Sequence, residues 1–387
     1  MTPARRRAHR SIAERALRSP TPPVVLARAV ERIRHRVYQL HQRLVPPWVA
    51  MTELVVLGQM VPQAVAAAVD LGVADALADG PLPPAELARR IGAEPDALKR
   101  LMRALISRGI FRKRRDGRYS LNALAEPLRS DSVRSVAGAA RYFGLREHRE
   151  AWSSLSDAVR TGRSVVPTLW GAEPFHYLEQ HPEFAAIVND AMSSISGMAA
   201  PVVVSAYDFG RFGVVVDVGG GQGRMLSAIL SATPSAEGVL YELPRVAEGA
   251  HEIFEAAGVG DRVRIEGGSF FDSVPTGGDA YVLKDVIHDW DDTAAETILR
   301  NIAAAAHDGA TLLLVELVIP RHDREFPGKW TDLEMLVLLG GRERDADEFR
   351  ELLRRSGFHL QRIVPTATPF SIVEATPIKG NVTSPSA

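Results

Sequence analysis

From position 214 onward, short runs of aliphatic and β-branched residues alternate with stretches whose apolar positions recur every three or four residues. Three adjacent valines, Val214-Val215-Val216, need apolar surroundings on both faces, which a central strand of a parallel sheet provides. Further strands are predicted at Gly238-Val239-Leu240-Tyr241-Glu242-Leu243-Pro244, at Val263-Arg264-Ile265, at Ala280-Tyr281-Val282-Leu283-Lys284 and at Thr311-Leu312-Leu313-Leu314-Val315-Glu316. Residues 358–364 and 370–375 read as a closing antiparallel pair at the sheet edge. Helices are predicted between them, to about position 231, over 246–257 and over 293–306. One more opens on Asp345, with Glu348 three residues on, the pattern of a capping box ahead of Phe349, Leu352 and Leu353. Strand and helix in steady alternation predict an α/β fold, a doubly wound and mostly parallel sheet with helices on both faces.

The first half is patterned differently. Leu26, Val30, Ile33, Val37, Leu40 and Leu44 alternate steps of four and three, the apolar seam of one helix. That seam has three possible covers: its own subunit, a partner subunit, or an anionic membrane facing its arginines. Its narrowness and lack of large aromatics favour protein. From Leu54 an alanine-rich helical pattern follows, then a helix opened by Pro83-Pro84 and a third over 96–108. Phe111 to Leu121, with Asp116-Gly117 at the tip, reads as a basic hairpin. Helix, turn, helix and basic hairpin outline a winged helix, so a DNA-binding regulator is one alternative function. Against it, the third helix offers Asp96, Lys99, Arg100, Arg103 and Ser107, a mixed solvated surface, and winged helices also serve as scaffolds. The predicted organisation is a basic extension over 1–48, loosely ordered in its first twenty residues, then a helical winged-helix-like domain over 49–208. A sheet domain over 209–376 and a disordered tail over 377–387 complete it.

Composition narrows the chemistry. The 387 residues are 46% hydrophobic and 24% charged, with a net charge of −1 that gives no whole-chain attraction to nucleic acid or membrane. Zero cysteines exclude disulfides, thiolate catalysis and cysteine-ligated metals. Arg5-Arg6-Arg7 is followed by Glu14, Arg15 and Arg18 where a signal peptide would need an apolar core. No run reads as long and apolar enough to span a bilayer, so a cytoplasmic enzyme without membrane insertion is expected.

The residues able to do chemistry gather at the carboxyl ends of the predicted strands, where open α/β sheets bind ligands. Asp217-Val218-Gly219-Gly220-Gly221-Gln222-Gly223 lets backbone approach a ligand closely. Glu242 ends the next strand, suited to the hydroxyls of a ribose. Ser269 and Phe270 follow the third, Lys284 and Asp285 the fourth, and Glu316 ends the fifth. His288, with Asp289 beside it, is a base positioned to take a proton from a hydroxyl, and Glu316 or Glu343 could fix its tautomer. Glu343 could equally pair with Arg342 or Arg344. Asp289, Asp291 and Asp292 point in different directions and suit a helix cap better than a metal.

Taken in order, Asp217 to Gly223, Glu242-Leu243-Pro244, Gly268-Ser269-Phe270-Phe271, Leu283-Lys284 through His288-Asp289-Trp290, Asp332-Leu333-Glu334-Met335-Leu336 and Gly341-Arg342-Glu343-Arg344 resemble the S-adenosylmethionine-dependent O-methyltransferases of the plant caffeate/flavonoid and bacterial polyketide type. The resemblance runs from about Leu54 to Ala375. It implies a seven-stranded Rossmann-like domain, a winged-helix-like dimerisation domain, a homodimer and a small aromatic or polyketide-like hydroxyl acceptor. It implies S-adenosylmethionine as co-substrate and no metal. By the same resemblance Asp217, Gly219 and Gly221 hold the donor's methionine end, Glu242 its ribose, and Lys284 and Ser196 line the donor site. His288 becomes the base flanked by Glu316 and Glu343, with Met192, Met335 and Asp289 in the acceptor pocket. Glu242 and Ser269 stand where the family usually has aspartates, so adenine recognition is weaker or rerouted at Ser269. An alternative is the same fold diverted to hydroxylation or decarboxylation. If His288 titrates normally, methyl transfer falls as pH drops through about 6.5.

Overall fold

A computed structural model describes residues 22–132 and 134–378. The expectations of loose order in the first twenty residues and of disorder beyond position 378 fall outside the described residues. The described chain forms two compact units, one made of residues 33–150 and 178–195, the other of 22–32, 151–177 and 196–378.

In the first unit, helices Pro47–Asp70, Val73–Ala76, Pro84–Arg90 and Pro95–Ser107 enclose a core of Val69, Val73, Leu77, Leu87, Leu98, Met102, Leu105 and Phe111. The helix expected from Leu54 begins at Pro47, because proline has no amide hydrogen to lose at a first turn. Pro95–Ser107 is capped by Glu94, whose carboxylate accepts from the amides of Asp96 at 3.0 Å and Ala97 at 2.6 Å. Strands β1 (Arg112–Lys113) and β2 (Tyr119–Ser120) pair antiparallel as the expected hairpin, and Gly117 takes the positive φ of its tip.

One expectation fails here. Helices Pro47–Asp70 and Pro182–Ser205 are both 24 residues with window hydropathies of 1.4 and 1.3, enough by length and composition to cross a membrane. The polar residues that interrupt them, such as Thr52, Gln59 and Gln63, are mostly uncharged and lower the average little.

The second unit is built on a seven-stranded sheet: β3 (Val214–Val218), β4 (Glu237–Glu242), β5 (Val263–Gly267), β6 (Ala280–Lys284), β7 (Thr311–Glu316), β8 (Phe358–Pro365) and β9 (Ser371–Pro377). The order is β5-β4-β3-β6-β7-β9-β8, with β3 to β7 parallel and β9 antiparallel to both neighbours. Alternation along each strand feeds two cores. Val215, Leu240, Val282, Leu313 and Ile372 pack with Leu226, Ile229 and Leu230 of helix Arg224–Ala232 on one face. Val216, Val239, Tyr281, Leu312 and Val373 pack with Ile298 and Leu299 of helix Asp292–Ala305, and with Phe349 and Leu352 of helix Ala346–Arg355, on the other. Asp345 closes the predicted capping box with Glu348. The helix expected over 246–257 forms only over Ala250–Ala256, because Gly249 at φ 84° cannot be a helical residue.

The chain order reverses between β3 and β6. Strands β4 and β5 spread to one side of β3, and β6 starts the other side, so a crevice opens between the loops that follow β3 and β6.

Candidate active site

The loop after β3 is shaped by glycine. Gly219, Gly221 and Gly223 all have positive φ, at 68°, 58° and 77°. A side chain at Gly223 would collide with the Phe254 ring, and one at Gly220 with the Asp217 carboxylate and Leu240, whereas Gly221 faces open space. The Gly221 amide donates to Glu242 Oε2 at 2.9 Å, and Leu243 donates to Oε1 of the same carboxylate at 2.7 Å. Glu242 is therefore fixed beside the glycine loop. Burial pushes its pKa up, and the two amides oppose that only partly.

Asp217 is the unusual group. It is fully buried in the last turns of β3, and neither carboxylate oxygen has a hydrogen-bond partner. Burial raises its pKa to about 7. A carboxylate in this condition wants a donor, ideally a cation, and the ammonium of an amino-acid moiety would satisfy it. That orphaned group fits the methionine end of S-adenosylmethionine.

Beyond β5, Ser269 Oγ accepts from the Phe271 amide at 3.2 Å, and its carbonyl accepts from the Tyr241 hydroxyl at the same distance. Phe270 and Val286 lie directly over Gly219, so that glycine lets two apolar side chains close on the loop. Asn301 anchors this edge by donating to the carbonyls of Phe270 and Phe271. At the end of β6, Lys284 is buried, donates to Ser196 Oγ at 3.1 Å, pairs with Asp285 and sits 4.7 Å from the Phe370 ring centroid. Asp285 itself has φ 53°, one of two non-glycine residues in the left-handed region among the described residues. Such backbone is costly and concentrates at functional sites.

His288 lies on the turn Ile287–Asp289 and is buried. Its Nδ1 is 3.2 Å from Glu316 Oε2 and 3.2 Å from Glu343 Oε1, while Nε2 is 3.3 Å from Asp289 Oδ1. Neither Nδ1 contact has hydrogen-bond alignment, so Nδ1, Glu316 Oε2 and both Glu343 oxygens are buried charges and dipoles near one another without a made bond. Burial lowers the His288 pKa, but Glu316 and then Asp289 outweigh it and hold the imidazole well above its usual value. Burial also pushes the Glu343 and Asp289 carboxyls up, against the pull of His288. Normal titration of His288 near 6.5 is therefore not what this environment gives: the surrounding carboxylates keep the proton on.

Three segments meet here, and two residues singled out only as motif members hold them. Glu316 Oε1 accepts from the Ile287 amide at 3.0 Å, which ties the end of β7 to the histidine turn. Gly341 packs so tightly on the carbonyls of His288 and Asp289 that any side chain would collide, and the Arg342 amide donates to His288 O at 2.8 Å. Arg344, almost completely buried, donates to the carbonyls of Ile287 and Trp290 and to Asp292 Oδ1. Arg344 and Arg342 pair with Asp292 and Glu348, leaving Glu343 to face the histidine. Asp332 accepts from the Glu343 amide at 2.9 Å. Asp291 caps the next helix by accepting from Ala294, as expected of that acidic run.

Among the described residues, Asp285, His288 and Glu316 also place one ligand atom each within 4.8 Å of one another, a set able to hold a metal ion. Met335 is buried on helix Pro327–Leu338 of the same unit. Met192 belongs to the first unit, 42% exposed on helix Pro182–Ser205.

Residues 152–359 match the O-methyltransferase domain family, and residues 54–131 match the O-methyltransferase dimerisation domain. The chain belongs to the S-adenosylmethionine-dependent O-methyltransferases. It is 44% identical over 323 residues to the phenazine O-methyltransferase PhzM of Lysobacter antibioticus, covering 84% of this chain and 94% of that relative. A solved O-methyltransferase of neocarzinostatin biosynthesis, in complex with S-adenosylmethionine and 2-hydroxy-5-methyl naphthoic acid, is 35% identical with a TM-score of 0.68, covering 82% and 96% of the two chains. A third relative, 33% identical over 338 residues and covering 83% and 89%, is the aclacinomycin 10-hydroxylase RdmB of Streptomyces purpurascens. In this O-methyltransferase the winged-helix outline thus falls within the dimerisation domain, and S-adenosylmethionine is the co-substrate.

Proposed function

We propose that this enzyme methylates a hydroxyl of a small aromatic or polyketide-like secondary metabolite, with His288 as general base. The observation that carries the reading is the imidazole of His288, buried at the strand ends with Nδ1 3.2 Å from both Glu316 and Glu343. Bound S-adenosylmethionine supplies an activated methyl group on a sulfonium sulfur. Asp217 holds the donor's ammonium, Glu242 its ribose, the Gly219 and Gly221 backbone lets it approach, and Ser196, Ser269, Phe270 and Lys284 line the rest of its site. Glu316 and Glu343 hold Nδ1 so that Nε2 faces the acceptor, and the acceptor hydroxyl displaces Asp289 from that nitrogen. As the oxygen–methyl bond forms and the methyl–sulfur bond breaks, the hydroxyl proton passes to Nε2 and S-adenosylhomocysteine is the leaving group. Alignment of oxygen and methyl carbon supplies most of the acceleration. Met335 and Asp289 shape the acceptor side, Met335 supplying an apolar and adaptable wall.

No metal takes part in this reading, and Asp285 serves to pair with Lys284. Dialysis against a chelator leaves turnover unchanged; a loss restored by one divalent cation would assign the Asp285, His288 and Glu316 set to that ion. The dimerisation domain supports a homodimer, and Met51, Leu54, Val55 and Met60, all exposed on or beside it, are the apolar residues a second copy would cover.

The hydroxylase relative favours one rival, a fold that keeps the donor and transfers no methyl group. Product mass separates the two with labelled donor and a panel of phenols, hydroxyquinones and hydroxynaphthoates. A gained methyl group supports transfer, and a gained oxygen or lost carboxyl group overturns it.

A further inference from the structure

The helix Val24–Arg43 precedes everything that the two family domains match, and it has no buried residue. Its apolar seam of Leu26, Val30, Ile33, Val37 and Leu40, continued by Leu44, is exposed along its whole length. Five positions are half-buried: Val24, His35 and Gln42 on the side away from the seam, and the small Ala27 and Ala29 flanking it. Packing of the seam on its own subunit is therefore not what covers it.

Charge decides between the remaining covers. At 100° per residue the seam spans on the order of 100°, with Arg34 and His41 along one border and Arg36, Arg43, Arg32 and Arg28 along the other and behind it. Glu31 is the one acid of the helix. Two copies of this helix laid seam to seam would set arginine and histidine against arginine and histidine. The next helix, Pro47–Asp70, offers only Glu53 and Asp70 to balance five arginines, so either of these two helices of a second copy would bury the seam and leave most of the cations unmatched. Nucleic acid would match the cations and leave the seam in water. A bilayer of anionic phospholipid satisfies both halves: acyl chains take the aliphatic stripe, and the arginines beside it reach the phosphates. Trp48, 72% exposed just past Pro46-Pro47, has the amphipathic ring that settles at such an interface. The segment ahead of the helix adds Arg5, Arg6, Arg7, Arg10, Arg15 and Arg18 against Glu14, which lengthens the range of the attraction.

We propose that the helix Val24–Arg43 is a peripheral anchor that lies on anionic phospholipid surfaces, seam toward the acyl chains. It holds the enzyme at the membrane without crossing it. Catalysis does not depend on it.

The test is flotation of the full-length protein with vesicles of phosphatidylcholine alone and of phosphatidylcholine mixed with phosphatidylglycerol. Wild type floats with the mixed vesicles, does not float with phosphatidylcholine alone, and binds more weakly as salt is raised. Ile33→Asp combined with Val37→Asp lowers binding roughly tenfold or more, as does Arg34→Glu combined with Arg36→Glu, while methyl transfer in solution stays at the wild-type rate and reports that both variants fold. Failure of the wild type to float with the mixed vesicles overturns the proposal. So does equal flotation of both variants, or a seam variant whose defect is dissociation of a dimer in light scattering, which would make a second copy the cover.

Discussion

The two ends of the site keep buried charge in opposite ways. At the proposed donor end a single carboxylate, Asp217, is fully buried, and its pKa rises to about 7 because desolvation outweighs the Leu226 backbone amide and the charge of Lys284. At the base end a single imidazole, His288, is surrounded by Glu316, Glu343 and Asp289, and its pKa rises because the carboxylates outweigh desolvation. The first is a buried group whose charge a cationic ligand would offset, and the second is an imidazole whose charged form its neighbours favour. In the proposed reading the donor binds through Asp217 and the acceptor reacts through His288. The difference also tells which substitutions separate affinity from turnover.

The largest expected effect is at the base end. His288→Ala lowers kcat roughly 10²–10⁴-fold and leaves donor affinity in calorimetry unchanged. Unaltered methyl transfer would remove His288 from the mechanism. Arg344→Met comes next, because it strips donors from the carbonyls of Ile287 and Trp290 and frees the histidine turn. It costs about 2–3 kcal/mol, read as a lower Tm, with turnover falling in step. An unchanged Tm would mean that the turn stands without its clamp.

At the donor end, Asp217→Asn weakens donor binding about tenfold or more by removing a charge-assisted contact. The same substitution should stabilise the ligand-free enzyme at alkaline pH. The folded pKa of Asp217 lies above its unfolded value, so the stability it contributes is complete below the ordinary aspartate range and is lost as pH rises toward about 7 and beyond. Denaturant midpoints at pH 5 and pH 8, with and without donor, read this directly; a variant no more stable than wild type at pH 8 would show that Asp217 has a partner in the free enzyme.

The same contrast explains what could be read from the chain. The run from Val214 to Gly223 is consecutive, and its order of valines and glycines dictates a strand that ends in a close-approach loop, so this part of the fold was visible locally. The strands β6 and β7 matched their apolar runs residue for residue. The base end joins residues 288, 316 and 343, and only their placement after strands, together with the family resemblance, hinted that they converge. Arg344 showed no such sign, since its task depends on residues 341–344 folding back over the turn at 287–290. Titration was the least legible property. A histidine in a loop has an ordinary pKa until its neighbours are known, and here the neighbours come from distant strands. The start of helix Pro47–Asp70 was missed because a first-turn proline adds nothing to the apolar periodicity from which the helix was read.

If His288 is the base, Glu316 and Asp289 set its charge for proton removal, and the pH dependence of kcat/KM tests this most directly because it reports the free enzyme. A neutral imidazole is required to take the proton, and the folded pKa is raised, so the acidic limb of wild type should lie above about 6.5. Glu316→Gln removes the strongest of the favourable charges and should move that limb toward lower pH while kcat falls. A limb at or below the ordinary histidine value in wild type, or one that stays in place in Glu316→Gln, would contradict the account.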